Sequence, residues 1–450
     1  VPIIAKADAN PTKAFFVRMI TRDITLEDCI LDLIDNSVDG AWQLLGGAPM
    51  SLDDNSDLSN YCIRISLSED QFEIRDNCGG ITLDEASEYA FTFGRKDEVG
   101  EEDYSIGVYG IGMKRAIFKM GSEIQITSTY KDNGKKSFKV PIDVNNWLAK
   151  EDRNWDFDLE SADNLTEPGV RIVVNKLNED TSSSFSSPAF IQNLRRTISR
   201  DYALHLARGL VVSINNEPVV GWQIRMLLGD AFAPMRQDYV EIVDGGSVRV
   251  EMLAGMAAAP PESSEPDVDD RREDRNGWYV VCNGRIVVAA DKTSITGWGT
   301  DGWPQWHPQY SGFIGLVMFT AQAAKLLPLT TTKRSVDSSS GVYRKAKPAM
   351  REASKAWIAY TNERKQALPE ARRLEAHTQP ISIREVTRRE SVSLPSLIAR
   401  PVIPMANISY TVSRDRVRLL AQAYGNINFS YKDVGVRSFE DAYSELVGDE

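Results

Sequence analysis

The chain has 450 residues, 42% hydrophobic and 26% charged, a composition that suits a globular protein of two or three domains. Its 52 basic and 64 acidic residues leave a net charge of −12, so a broad electrostatic grip on nucleic acid is not the default reading. Four scattered cysteines (Cys29, Cys62, Cys78, Cys282) without CxxC spacing argue against structural zinc or a disulfide framework and suit a reducing compartment. With no signal-like opening stretch and no bilayer-length apolar run, the expectation is a soluble cytoplasmic protein without a membrane partner.

Thr25 followed by Asp28 marks a helix start, and Ile30, Leu33, Ile34, Val38, Ala41, Trp42 and Leu45 then recur at helical spacing. Asp28, Asp32, Asp35, Asn36 and Asp39 fall opposite this stripe, and Gly46-Gly47 closes the helix. Residues 61–67 alternate in polarity and 71–77 follow after a polar turn, which reads as a hairpin. Residues 81–94 read as a helix, 95–105 as a charged loop, and 106–121 as a glycine-rich loop entering a helix. Strand patterns at 123–130, 135–143 and 170–177 complete an α+β layer, an antiparallel sheet with helices on one face.

A second unit begins with a helix over 187–209, followed by four strand patterns. Within it, the proline-rich, charged stretch 259–275 reads as a mobile loop. A long polar helix over 341–367 and a proline-containing linker near 379–405 lead to a small tail domain. The expected organisation is therefore 1–182, 183–340, a helical extension over 341–378, and a linker with a small domain over 379–450.

Four elements offer chemistry, and each has a plain alternative. The acidic helix alone is most simply a solvated face, although aspartate, serine and asparagine are mediocre helix formers to keep together. "IRDNCGGIT" ends a strand with Asp76 and turns at Gly79-Gly80; a simple turn explains it, but a strand-end carboxylate also accepts from an exocyclic amine. "GVYGIGMKRA" places Gly107, Gly110 and Gly112 at a helix N-terminus, where backbone N–H groups bind phosphate, with Lys114 and Arg115 adding charge. No parallel βαβ unit surrounds it, which rejects a dinucleotide fingerprint. Lys333 in "LTTTKRSVD" would alone be an ordinary loop lysine.

In order and spacing these elements resemble the ATP-binding motifs of the GHKL superfamily, which includes gyrase, histidine kinases, the large heat-shock chaperone ATPase and MutL. "DLIDNSVDGA" matches the first motif, with Asp32 in place of the family glutamate and Gly40 in place of alanine. "DNCGG" matches the second through Asp76 and Gly80, and Gly107, Gly110 and Gly112 match the third intact. "GVRIVV" matches the last through Gly169, with Val170 where threonine is expected. "VVCNGRIVV" and "TTTKRSVD" are similar to the MutL and gyrase transducer domain, and MORC-like and MutL-like proteins of prokaryotes look closest.

The resemblance implies a Bergerat-fold ATP-binding α/β sandwich, an α/β transducer domain and a small, mostly helical C-terminal region. It implies ATP and Mg²⁺ as cofactors, Asn36 as the metal ligand and Asp76 as the adenine acceptor. Asp39, Gly80, Gly107, Gly110, Ile111, Gly112, Met113, Lys114 and Gly169 would bind nucleotide, and Lys333 would touch the γ-phosphate. Asp32 would orient or deprotonate water; it is one methylene shorter than glutamate, roughly 1.5 Å, and misplacement by ~1 Å can cost roughly 10²-fold. The activity expected is slow ATP hydrolysis with lid closure and an ATP-dependent homodimer, and the alternative is a nucleotide-gated switch with little turnover. A protein partner such as a nuclease, antiviral defence and DNA are implied by fold-level likeness alone, and the basic clusters at 194–200 and 371–390 read more simply as solvated helix faces. A sensor kinase is rejected: none of the 31 residues before Asp32 is histidine, and His205, His307 and His377 lack an H-box context.

Overall fold

The computed structural model describes residues 11–46, 51–93, 104–106, 111–150, 154–261, 275–300, 302–330, 333–397 and 406–448. Among them the helices α1 (Lys13–Arg22) and α2 (Leu26–Leu44) come first. Thr25 caps α2: its hydroxyl accepts from the Asp28 N–H at 3.1 Å and donates to the Asp28 carboxylate at 2.8 Å. The hairpin follows as β1 (Cys62–Leu67) and β2 (Gln71–Asp76), paired antiparallel with Leu67 opposite Phe72. Alternation buries Ile63, Ile65 and Leu67 of β1 and Phe72, Ile74 and Asp76 of β2. Residues 81–94 form less helix than their pattern predicts: α3 (Leu83–Glu85), capped by a reciprocal Thr82–Glu85 box, runs into a π-helical turn at Ala86–Ala90.

Then come α4 (Gly112–Met120), β3 (Gly121–Lys131), β4 (Lys135–Asp143), α5 (Val144–Ala149), β5 (Glu160–Ser161), β6 (Gly169–Leu177) and α6 (Glu179–Phe185). Next are α7 (Pro188–Asp201) and α8 (Ala203–Leu206), where one helix over 187–209 was expected, and β7 (Val211–Ile214) with β8 (Glu217–Pro218). The first sheet has the order β5-β4-β3-β6-β2-β1-β7-β8. It is antiparallel except where β7 pairs parallel with β1. So 211–218, expected in the second unit, extend the first sheet instead. A parallel pair needs a long crossover, which the helices between β6 and β7 supply.

β9 (Arg225–Leu228), β10 (Met235–Val243), β11 (Gly246–Met256), β12 (Gly277–Cys282), β13 (Arg285–Asp291) and β14 (Phe313–Ala321) follow. The second sheet runs β10-β11-β14-β12-β13, with only β12 and β14 parallel. α9 (Gly341–Gln366) covers it, and is not the polar extension its composition suggests. Its Tyr343, Ala346, Met350, Ala353, Trp357 and Tyr360 alternate three and four residues apart and are all buried. Burying each large side chain contributes on the order of 1.5–3 kcal/mol. Trp278 of β12 donates its indole N–H to Ser354 at 3.0 Å, fixing the helix on the sheet.

α10 (Leu368–Glu375) precedes β15 (Gln379–Ser382), which pairs antiparallel with β9. Further bridges join Arg389 to Arg236 and Ser393 to Ala233. Residues 379–397 were expected to begin a linker; these backbone bonds make them a strap on the main unit. The loop expected over 259–275 falls mostly outside the described residues. The described residues 406–448 belong to a separate unit, in which Tyr424, capping α11 (Arg414–Ala423), donates its hydroxyl to Ser438 of α12 (Tyr431–Leu446) at 3.4 Å and lies under Arg437 at 6.0 Å.

Candidate functional site

A pocket in the first unit gathers residues from distant parts of the chain: α2, the end of β2, the turn after it, α3, α4, β6 and Lys333. Helix α2 is its spine. The plain alternative of a solvated acidic face fails there: Asp32 and Asp35 are 3% and 0% exposed, and Asn36 alone of the five polar residues is exposed. A helix buried nearly all round lies in a core, and charges on it must be paired.

Asp76 organises one end of the pocket. Its Oδ1 accepts the backbone N–H of Cys78 at 2.9 Å and of Val170 at 3.2 Å, and its Oδ2 accepts the Ser37 hydroxyl at 2.7 Å. Burial pushes its pKa up, and the Cys78, Ser37 and Val170 donors offset part of that rise. Gly80, at φ +77°, passes so close to β3 that a Cβ would stand 2.1 Å from the Thr129 carbonyl oxygen. Ser128 holds the same turn, accepting from the Ile81 N–H at 2.7 Å and donating to its carbonyl at 2.8 Å.

The opposite end is charge-dense. Arg115 of α4 donates through Nη2 and Nε to Asp32 Oδ2 at 2.5 and 2.8 Å, while Lys333 Nζ lies 3.2 Å from Asp32 Oδ1. Lys333 also donates to Asp35 Oδ2 at 2.9 Å, an oxygen that Arg285 of β13 pairs with as well. Tyr202 donates its hydroxyl to Asp35 Oδ1 at 2.7 Å. Burial alone would raise the Asp35 pKa, but Arg285, Lys333 and Tyr202 outweigh it and hold the carboxylate below its usual range. For Lys333, burial works to lower the pKa, and the Asp35 and Asp32 charges reverse it to a net rise.

Of the expected site residues, Asp32, Asn36, Asp39, Asp76, Gly80, Ile111, Gly112, Met113, Lys114 and Lys333 all line this one pocket. Gly107 and Gly110 lie outside the described residues. Gly169 is not on the wall: it lies behind Asp76, where a Cβ would come within 2.1 Å of the Asp76 carbonyl oxygen. Its neighbour Val170 lines the pocket, so the residue at the threonine position contributes a backbone donor and a plain apolar side chain. Lys114 is 1% exposed and donates Nζ to the Ala90 carbonyl at 2.8 Å, tying α4 to the π turn. Asp39 accepts the Ile106 N–H on both oxygens at 3.0 Å, an anchor for the segment that approaches the glycines.

Tyr202 and Arg285 are absent from the candidates read from the sequence, and Ser37 and Asp35, both inside "DLIDNSVDGA", have no role assigned there. Ser37 and Arg285 sit in motifs already singled out, "DNSVDG" and "VVCNGRIVV", and that was their only signal. Tyr202 had none.

Residues 24–179 match the family model of the histidine kinase-, DNA gyrase B- and HSP90-like ATPases. The match runs from the start of α2 through β6, and those residues with their sheet form an α/β sandwich of the Bergerat type. Lys333, Arg285 and the second sheet lie outside it. No curated protein matches the chain. Among the described residues no helix is long and apolar enough to cross a membrane.

Proposed function

We propose that the pocket binds ATP with Mg²⁺ and hydrolyses it slowly. The observation that carries this is the polarity of the pocket: a pre-oriented buried carboxylate at one end, cations at the other, both on α2 and its neighbours. Asp76 Oδ2, already aligned by Ser37, accepts the exocyclic amine of adenine. Arg115 and Lys333 face the phosphates beside the carboxylate Asp32, and Asp35 behind them is paired with Lys333 and with Arg285, which does not line the pocket. Asn36 presents a single neutral amide on the pocket wall, which fits Mg²⁺, an ion that takes few protein ligands beside phosphate oxygens and water. When bound, the metal would neutralise charge on the phosphates. Asn36→Ala should abolish tight Mg²⁺-ATP binding in calorimetry; parental binding and hydrolysis by that variant would sink the reading.

In this reading Asp32 orients the attacking water, yet both of its oxygens are engaged by cations. That engagement favours a second reading, a nucleotide-gated switch with little turnover, in which Asp32 holds α4 and Lys333 rather than water. Phosphate release by the parent and by Asp32→Asn separates the two. A parental rate well above the variant supports hydrolysis, and equal background rates support the switch. Closure of the glycine segment, an ATP-dependent homodimer, and coupling to DNA or to a partner nuclease in defence belong to the same proposal at the level of family analogy.

A further inference from the structure

The β12–β13 turn, "CNGR", reaches the nucleotide pocket from behind without lining it. Asn283, at φ +42°, donates its side-chain amide to the carbonyls of Tyr104 (2.9 Å), Ser105 (3.2 Å) and Ala321 (3.0 Å). Its Oδ1 accepts the Ala321 N–H at 3.0 Å, so the turn is locked to β14 while it grips residues 104–105. Two positions on, Arg285 is 2% exposed, stacks over Tyr202 at 5.6 Å and pairs with Asp35. Asp35 is the carboxylate that Lys333 also holds.

We infer that Arg285 is a positioning residue that makes the site discriminate triphosphate from diphosphate, by keeping Asp35 paired when Lys333 leaves it for a terminal phosphate. A carboxylate with no exposure cannot be left without a counter-charge. If Lys333 were its sole cation, moving the ammonium to a phosphate would strand Asp35 in the interior. Arg285 removes that penalty because it stays on Asp35 throughout, and the Tyr202 hydroxyl satisfies the other oxygen. Lys333 is then a shared cation rather than an essential one, poised between Asp32 and Asp35 and free to move. Asn283 anchors the turn that carries Arg285, so the second sheet sets how readily the lysine is released.

This inference rests on the proposed ATP site, and the test separates the two. Calorimetry with Mg²⁺ measures binding of ADP and of a non-hydrolysable ATP analogue. In the parent both should bind; a parent that binds neither overturns the proposed function and this inference with it. Arg285→Gln should weaken the triphosphate analogue about tenfold, the scale of one charge-assisted contact, and leave ADP within about twofold. In a Lys333→Ala background that also carries Asp35→Asn, so that no buried carboxylate is stranded, Arg285→Gln should add nothing, because the residue acts through the lysine. Asp35→Asn/Arg285→Gln removes both buried charges and should recover triphosphate affinity; this variant decides the matter if Arg285→Gln alone does not fold. Equal losses for ADP and triphosphate would show a purely structural role. No loss in folded Arg285→Gln, additive loss over Lys333→Ala/Asp35→Asn, or a tenfold loss in the double-neutral variant would each overturn the inference.

Discussion

The two ends of the pocket are built on different principles. At the Asp76 end one carboxylate is satisfied by neutral donors, two backbone N–H groups and a serine hydroxyl, and the turn beside it depends on a glycine. At the Lys333 end two carboxylates and three cations neutralise one another, and the side chains come from α2, α4, β13 and the Lys333 loop. The first end is a rigid shape assembled largely from local geometry. The second is a charge balance in which moving one member shifts the demand on the rest. Recognition of a flat base suits the first kind of construction, and response to phosphates suits the second.

The sharpest way to break the contrast is at the charged end. Arg285→Met removes one of the two cations on buried Asp35, leaving Lys333, and should cost about 1.5–3 kcal/mol in urea unfolding; a loss below ~1 kcal/mol would mean the pair is not a buried charge balance. At the neutral end, Asp76→Ala should weaken nucleotide binding up to about a hundredfold, since hydrogen bonds to charged groups contribute ~1.5–3 kcal/mol. Ser37→Ala, which only aligns the carboxylate, should cost about tenfold at most. Equal losses for the two would place Ser37 on the nucleotide itself.

The effect that is smallest at neutral pH concerns His205, which sits behind α2 against Trp42 and Tyr202 with both ring nitrogens unpartnered. Burial lowers its pKa from 6.5 to about 3, with Asp35 opposing that fall and Arg208 and Arg285 adding to it. Above pH 6.5 the imidazole is neutral folded or unfolded and contributes no pH dependence. As pH falls from 6.5 towards 3 the unfolded chain binds a proton that the folded one does not, so stability is lost at up to about 1.4 kcal/mol per pH unit. His205→Leu should flatten that part of the stability–pH curve, and an unchanged slope would assign it to the carboxylates.

The Asp76 end was largely legible because its residues are close in sequence and obey turn chemistry: a strand-end aspartate, then glycines. What the motif did not show is that Gly169 works from behind Asp76, since a close backbone approach leaves no mark on composition. The helix α2 was legible as a helix and its cap was in place, but its burial was not. Periodicity reports one apolar stripe; it does not report that α4, Tyr202, Arg285 and Lys333 pack over the polar side as well. The same limit explains α9, whose exposed lysines and arginines masked a buried aromatic stripe, and 379–397, whose prolines read as a linker until β15 found β9.

By itself, the sequence determined most helices and strands of the first 180 residues, the glycine turn, the Asp76 position and a set of motifs spaced for one pocket. Only the tertiary structure decided which carboxylates are buried and which cation each one keeps. Local order follows from the preferences of neighbouring residues, whereas the state of Asp32 and Asp35 depends on partners contributed from as far along the chain as Arg285 and Lys333. Burial makes those partners obligatory, and burial is a property of the packed molecule.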